Sequence, residues 1–154
     1  MDTEELDQLV RDISTRMDVG IPEVRGPVDG LSHRVYELKY SSGEAWSLRI
    51  PKTEVAASIS KRGLAVLDHL KKVQPTLWVP RPIYDSETYS LLSFLDGDTL
   101  GAWDSFKLTD KRRQQLLNSL ATFLLDLWLS PVPQSGWCIW VGFRTAWLGR
   151  FLHH

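Results

Sequence analysis

The feature that most constrains the fold is a pair of alternating segments joined by a short polar turn. From Arg34 to Tyr40, and again from Ala45 to Ile50, large apolar or aromatic side chains fall at every second position. This period is typical of a strand with one buried face. The intervening Ser41–Glu44 segment contains a glycine and is short enough for a hairpin turn. The pattern therefore predicts an antiparallel hairpin whose buried face consists of Tyr36, Leu38, Tyr40, Trp46, Leu48 and Ile50.

Helices and further strands are predicted on both sides of this hairpin. At the N-terminus, Asp2 and Glu5 resemble a capping box. Thr53 and Thr109 are candidate N-caps of two later helices. Because the strands are not each followed by a helix, the order predicts an antiparallel α+β layer rather than parallel βαβ units. The predicted strands are 23–29, 34–40, 45–50, 83–86 and 88–95, and the predicted helices are 2–17, 53–72, 99–105 and 109–129.

Each of the three longer helices has an apolar side at helical spacing. Gly63 lies inside the second of them, where a glycine costs roughly 1 kcal/mol relative to alanine. The apolar sides consist of Leu6, Leu9, Val10, Ile13 and Met17; of Val55, Ile59, Leu64, Leu67 and Leu70; and of Leu116, Leu117, Leu120, Ala121, Leu124, Leu127 and Trp128.

Composition excludes several classes of function. The net charge of −1 predicts no nucleic-acid partner. Cys138 is the single cysteine, which excludes an intrachain disulfide and is compatible with a reducing compartment. The acidic N-terminus does not resemble a secretory signal. No apolar run reaches the roughly 20 residues that a membrane-spanning helix needs. Together these features predict a cytoplasmic protein without a transmembrane segment.

Two positions around the hairpin are candidates for binding phosphate. In the turn before it, Gly30 would let backbone N–H groups approach a phosphate, and Ser32 offers a hydroxyl donor. The alternative is an ordinary glycine turn. Arg49 alternates with Leu48 and Ile50 and so lies opposite the buried face. Its guanidinium could bind phosphate through two parallel hydrogen bonds, and the alternative is a solvated strand arginine.

The segment from Leu91 to Thr99 is an apolar strand that ends in a polar turn. Backbone groups at its end could hydrogen-bond a flat heterocycle, and the alternative is a plain strand end. Asp96 and Asp98 do not form a calcium loop, because Leu100 and Lys107 occupy the fifth and twelfth positions. The histidines have no metal-ligand spacing, and no catalytic triad is evident.

These residues resemble the start of the aminoglycoside phosphotransferase and choline-kinase-like family. The resemblance covers roughly residues 20 to 134 and lies in the order and spacing of its segments. The matching segments are Gly30–Ser32, Val35–Leu38, Ser47–Pro51, Val79–Pro82, Leu91–Leu100 as the hinge, and Leu120–Trp128 with Pro131 and Pro133 as the first large-lobe helix.

The resemblance implies a kinase-like small lobe joined to the first helices of a truncated large lobe. The implied domains are an N-terminal helix at 1–19, the small lobe at 20–95, the hinge and start of the large lobe at 96–134, and a Trp-rich tail at 135–154. ATP is the implied cofactor, lying under the glycine turn. Ser32 would approach the phosphates and Arg49 would replace the usual lysine. Ser93, Phe94 and Leu95 would meet adenine through the backbone.

The sequence departs from the family at several positions. His33 stands where the family often has Asn, and Arg49 replaces a lysine, which is not a neutral change. The carboxylate that usually pairs with this cation falls at or next to Gly63, and Glu54 lies about two helical turns too early. The ion pair that the resemblance would suggest therefore lacks its acidic partner.

After Asp126 the sequence contains no Asp, Glu, Asn or Lys. The family's catalytic loop, its downstream Asn and its metal-binding Asp have no counterpart. Since phosphoryl transfer depends on these groups, we expect weak ATP binding, no magnesium site and no catalysis. The resemblance implies phosphotransfer to a small-molecule hydroxyl by the family. For this chain the alternatives are a pseudokinase fragment that binds or regulates, and a non-functional truncated product.

Aromatic residues in the tail fall at helical spacings of three and four, which predicts one apolar stripe. Such a stripe could fold back over the core, mediate self-association or contact a membrane interface. The stripe consists of Trp140, Phe143, Trp147 and Phe151.

Overall fold

The computed structural model describes residues 2–96 and 109–131 of the 154-residue chain. The predictions for 99–105 and for the tail residues Trp140, Phe143, Trp147 and Phe151 lie outside the described residues. The remaining elements form where the sequence predicts them, within a few residues at each end. They are α1 (Thr3–Met17), β1 (Glu23–Asp29), β2 (His33–Lys39), β3 (Ala45–Pro51), α2 (Glu54–Val73), β4 (Pro82–Asp85), β5 (Ser90–Ser93) and α3 (Asp110–Leu129).

The five strands form one sheet in the order β1-β2-β3-β5-β4, and every neighbouring pair is antiparallel. The chain passes through α2 after β3 and returns with β4 at the edge before β5 enters beside β3. This arrangement confirms the predicted antiparallel α+β layer. It also makes β3 an interior strand, paired along both sides.

One face of the sheet and α1 enclose the core. The alternating side chains predicted to share a face do so: Tyr36, Leu38 and Leu48 are buried together. Val10 and Ile13 of α1 complete the same cluster. Further members are Tyr40, Trp46, Tyr89 and Leu91, and the Tyr40 and Trp46 ring centroids lie 4.6 Å apart.

A bulge interrupts β1 between Arg25 and Val28. Gly26 has a φ of +116°, and a Cβ at this position would lie 3.1 Å from the Val35 carbonyl oxygen. Glycine is therefore required both by the backbone conformation and by the closeness of β2. The Gly26–Pro27 peptide is cis. The bulge lets a segment containing Gly and Pro remain in the sheet as an edge strand.

The helix caps follow the sequence prediction. Asp2 and Glu5 form the capping box, with both backbone-to-carboxylate distances at 2.9 Å. Thr53 Oγ1 accepts a hydrogen bond from Ala56 N, and Thr109 Oγ1 accepts one from Arg112 N. These contacts satisfy backbone donors that have no partner inside the helix.

The predicted apolar side of α2 is partly wrong. Val55 and Ile59 are 69% and 55% exposed. Leu64 and Leu70 are buried, as predicted. Before them, the inward positions are the buried Ala56 and the half-buried Ser60, each one residue further along than predicted. Because the inward position 60 is a serine, a search for apolar residues alone selects its neighbour Ile59.

The chain divides into two compact units, the first comprising Met1–Asp68 with Trp78–Thr99 and the second His69–Leu77 with Leu100–His154. The first unit holds α1, the sheet and most of α2. In the second unit, two hydrogen bonds connect the last turns of α2 to the C-terminal end of α3. His69 Nε2 donates to the Pro131 carbonyl oxygen at 2.6 Å, and Gln74 Nε2 donates to the Asp126 carbonyl oxygen at 3.3 Å.

The predicted helix at α3 is confirmed, but none of its residues is buried. Its predicted apolar stripe includes Leu116, Leu117, Leu120 and Leu124, each at least 40% exposed. Across the described residues, no helix is both long enough and apolar enough to cross a bilayer.

Candidate functional site

The face of the sheet opposite the core carries the candidate site. Side chains on neighbouring strands lie side by side wherever their residues are paired in register. Arg49 of β3 is paired with Val35 of β2 and with Ser90 of β5. All three alternate with core residues, so their side chains lie on the second face. The alternation therefore puts Arg49 on the face opposite the core, as the sequence predicts, and the pairing on both sides of β3 puts it in the interior of the sheet.

Arg49 is half-buried, and its guanidinium has no ion pair or hydrogen-bond acceptor among residues 2–96 and 109–131. Two other arginines of the sheet, by contrast, are paired with carboxylates. Arg25 Nε lies 2.9 Å from Glu23 Oε1, and Arg34 Nε lies 3.3 Å from Asp29 Oδ1. Arg49 therefore retains all its donors for an external anion.

The carboxylate that the resemblance would pair with Arg49 falls at or next to Gly63. No heavy atom comes within 4 Å of a Cβ built on Gly63. The position is thus open, and α2 contributes no acidic side chain there. The charge at Arg49 is therefore not neutralised from this part of the helix.

His33 links the start of β2 to α2. The residue is 9% exposed, and its Nε2 is hydrogen-bonded to Ser60 Oγ. Burial lowers the pKa of His33 below its ordinary value of 6.5, and the positive charge of Arg49 lowers it further. The sequence identifies His33 as a departure from the family but gives no sign of the contact with Ser60. That contact depends on which residues in the first half of α2 face inward, and there the apolar pattern is wrong by one residue.

The lowered pKa of His33 predicts acid-sensitive folding. The unfolded chain takes up a proton near pH 6.5, whereas folded His33 stays neutral to lower pH. Its contribution to stability is therefore complete above that value and is lost as the pH falls through the folded pKa. We expect His33→Asn to reduce the loss of stability between about pH 7.5 and about pH 5.5, measured as the free energy of unfolding in urea.

Ser60→Ala provides the control for this experiment. Burial is the larger cause of the shift, so removing the Ser60 hydroxyl should preserve most of the pH dependence. Equal pH dependence in the wild type and in His33→Asn would contradict the assignment.

The turn between β1 and β2 is closed by its own backbone and by Lys52. Gly30 N donates to the His33 carbonyl oxygen at 2.9 Å, and a Cβ on Gly30 would lie 3.3 Å from that oxygen. The Gly30 N–H is therefore used within the turn. Leu31 is fully exposed. In the described part of the chain, the N–H groups of Leu31 and Ser32 have no hydrogen-bond acceptor.

At the end of β5 the backbone is partly engaged. Ser93 N donates to the Arg81 carbonyl oxygen at 2.9 Å, and Phe94 N donates to the Ala45 carbonyl oxygen at 3.0 Å. Ser93 Oγ also accepts from Arg81 N at 2.8 Å. Within residues 2–96 and 109–131, the Leu95 N–H has no hydrogen-bond acceptor. In the predicted Ser93–Leu95 segment, the Leu95 N–H is therefore the backbone donor that is not used.

No group of three His, Cys, Asp or Glu side chains in the described ranges lies close enough together to hold a metal ion. Among the described residues, the unused donors at the turn and at Arg49 therefore have no adjacent cluster of metal ligands.

No protein-family model matches the sequence, and no curated protein matches it. Solved structures do match. A streptomycin and ATP ternary complex of the aminoglycoside phosphotransferase APH(2'')-IIa has a TM-score of 0.68 at 18% identity. The ADP-bound APH(2'')-Ib enzyme has a TM-score of 0.67 at 18% identity. A macrolide 2'-phosphotransferase type I has a TM-score of 0.57 at 22% identity.

These matches cover 88%, 88% and 85% of this chain, which spans 43%, 43% and 45% of the matched chains. At such identities the likeness establishes the fold. The predicted resemblance is confirmed at that level: the chain has the kinase-like architecture of the first part of an aminoglycoside phosphotransferase.

Proposed function

We propose that the chain forms a kinase-type nucleotide-binding lobe in which Arg49 binds the phosphates of ATP. The observation that carries the proposal is the half-buried residue Arg49 on the second face of the sheet, whose guanidinium has no partner among the described residues. The fold supports it, since the solved structures of similar fold include complexes with ATP and ADP.

The remaining contacts follow from which backbone donors are unused. The N–H groups of Leu31 and Ser32, with the Ser32 hydroxyl, would bind phosphate oxygens at the turn. The Leu95 N–H and the Phe94 carbonyl would bind the edge of adenine. Gly30 would act through the shape of the turn, and Ser93 by anchoring the end of β5.

The reaction class suggested by the fold is phosphotransfer to a small-molecule hydroxyl. In it Arg49 would neutralise phosphate charge, while carboxylates elsewhere would hold magnesium and orient the hydroxyl. The sequence contains no carboxylate after Asp126. We therefore propose that the 154-residue chain binds ATP without turning it over, with a dissociation constant on the order of a millimolar.

A second candidate function is that of a pseudokinase module that binds a nucleotide to regulate a partner. Gly63 favours it, because the helix lacks the carboxylate that would fix the position of Arg49. Without that ion pair the lobe can still bind phosphate, since the guanidinium is not held by an internal anion.

Arg49→Ala tests the proposal. The variant should bind ATP about tenfold more weakly, because it removes the charged donor on the binding face. Amide chemical-shift titration suits affinities in this range. Since Arg49 has no partner among the described residues, we expect the melting temperature to stay close to that of the wild type.

Arg25→Ala is the matched control, because Arg25 lies in the same sheet but is paired with Glu23. Its affinity for ATP should equal that of the wild type. Unchanged ATP binding in Arg49→Ala would refute the role of Arg49. Turnover of ATP by the wild type, above a heat-inactivated sample and lost in Arg49→Ala, would refute the proposed lack of catalysis.

A further inference from the structure

Lys52 binds the β1–β2 turn from the end of a different strand. It directly follows β3, and its backbone N donates to the Ser32 carbonyl oxygen at 3.0 Å. Its ammonium donates to the Gly30 carbonyl oxygen at 2.9 Å and lies 3.0 Å from Asp29 Oδ1. Lys52 thus contacts Asp29, Gly30 and Ser32, which are all the positions from 29 to 32 except the exposed tip, Leu31.

These contacts matter because the strand pairing ends just before them. The last register pair between β2 and β3 joins His33 to Pro51. Beyond it, the turn closes on itself through one bond, from Gly30 N to the His33 carbonyl oxygen. Lys52 therefore supplies most of the hydrogen bonds that hold the turn in place.

The charges around Lys52 favour this contact. Asp29 also accepts a hydrogen bond from Arg34 at 3.3 Å. Hydrogen bonds from Lys52 and then from Arg34 lower the pKa of Asp29, so the carboxylate stays ionised. Since the Lys52 and Asp29 side chains are 38% and 49% exposed, solvent screens the pair. The contact is therefore expected to order the turn while adding little to global stability.

We propose that Lys52 is a positioning residue for nucleotide phosphates, which holds the β1–β2 turn so that the Leu31 and Ser32 N–H groups stay available to them. This inference rests on the proposed function. Arg49 binds the phosphates and Lys52 positions the turn, so a single four-residue stretch at the end of β3 carries both tasks.

Lys52→Met tests the role, since methionine keeps an unbranched side chain and removes the ammonium. We expect the Gly30 amide to exchange its hydrogen about fivefold faster and ATP to bind about threefold more weakly. Adenosine affinity should not change, because adenosine has no phosphate. Lys52→Arg should restore part of the ATP affinity, since the guanidinium can donate to the same oxygens.

Lys39→Met is the matched control, because Lys39 is an exposed lysine at the opposite end of β2. It should change neither the exchange at Gly30 nor ATP affinity. Faster exchange at Gly30 with unchanged ATP affinity would overturn the positioning role. Equal losses of ATP and adenosine affinity would overturn it too, since they indicate a general structural effect.

The two proposals fail in different ways. If Arg49→Ala weakens ATP binding and Lys52→Met changes neither readout, only the inference about Lys52 is wrong. If the wild type binds no ATP, the proposed function fails, and the positioning role of Lys52 for phosphates fails with it. Hydrogen exchange at Gly30 then still reports whether Lys52 orders the turn.

Discussion

Replacing Leu48 with alanine should lower the free energy of unfolding by about 3 to 4 kcal/mol. Leu48 has no exposed surface and is paired with Tyr36 on one side and Leu91 on the other, both of them core residues. The substitution removes buried methyl groups and leaves a cavity between two strands and α1, which the paired backbone cannot easily close. Urea unfolding followed by tryptophan fluorescence measures the loss.

Leu31→Ala is the matched control for this prediction, because it makes the same chemical change at a fully exposed position. Its free energy of unfolding should stay within about 0.5 kcal/mol of the wild type. A loss of less than about 1 kcal/mol in Leu48→Ala would mean that the second face of the sheet, and not this one, carries the core.

Ile13→Asp should have a still larger effect and cost about 4 kcal/mol or more. Ile13 lies in α1, has no exposed surface and belongs to the core cluster of the sheet. The aspartate would lose the packing of isoleucine and bring a carboxylate into an apolar site without a cation. We expect the variant to lose its cooperative thermal transition and its near-ultraviolet circular dichroism.

Ile59→Asp serves as the control, since Ile59 also lies on a helix but is 55% exposed. It should unfold cooperatively, at nearly the wild-type temperature. If Ile13→Asp also folds cooperatively, α1 is dispensable, and the sheet must be stable without the helix that covers its core face.

The core could be predicted from the sequence because its signal is local. The alternation of Tyr36, Leu38 and Leu48 defines a buried face whatever the strands pair with. The capping residues Asp2, Thr53 and Thr109 are similarly local, because each bonds a backbone group three residues away. Arg49 is assigned to the other face by the same alternation.

The contacts around the site could not be predicted, because they join residues far apart in the sequence. Lys52 reaches the Gly30 carbonyl across 22 positions, and His33 reaches Ser60 across 27. Both contacts depend on the register of the hairpin or on the rotation of α2. The error at Val55 and Ile59 has a different cause: Ser60 lies on the inward side but is polar, so hydrophobic periodicity does not detect it.

The double pairing of β3 has a consequence for how the protein tolerates change. A strand that slips by one residue turns all of its side chains to the opposite face. For β3 such a slip would break the hydrogen bonds to two neighbours and move Trp46 and Leu48 out of the core to the second face. The same barrier keeps Arg49 from entering the core. Substitutions in the core that weaken the register of β3 would therefore also change the position of Arg49, although they alter no residue on its face of the sheet.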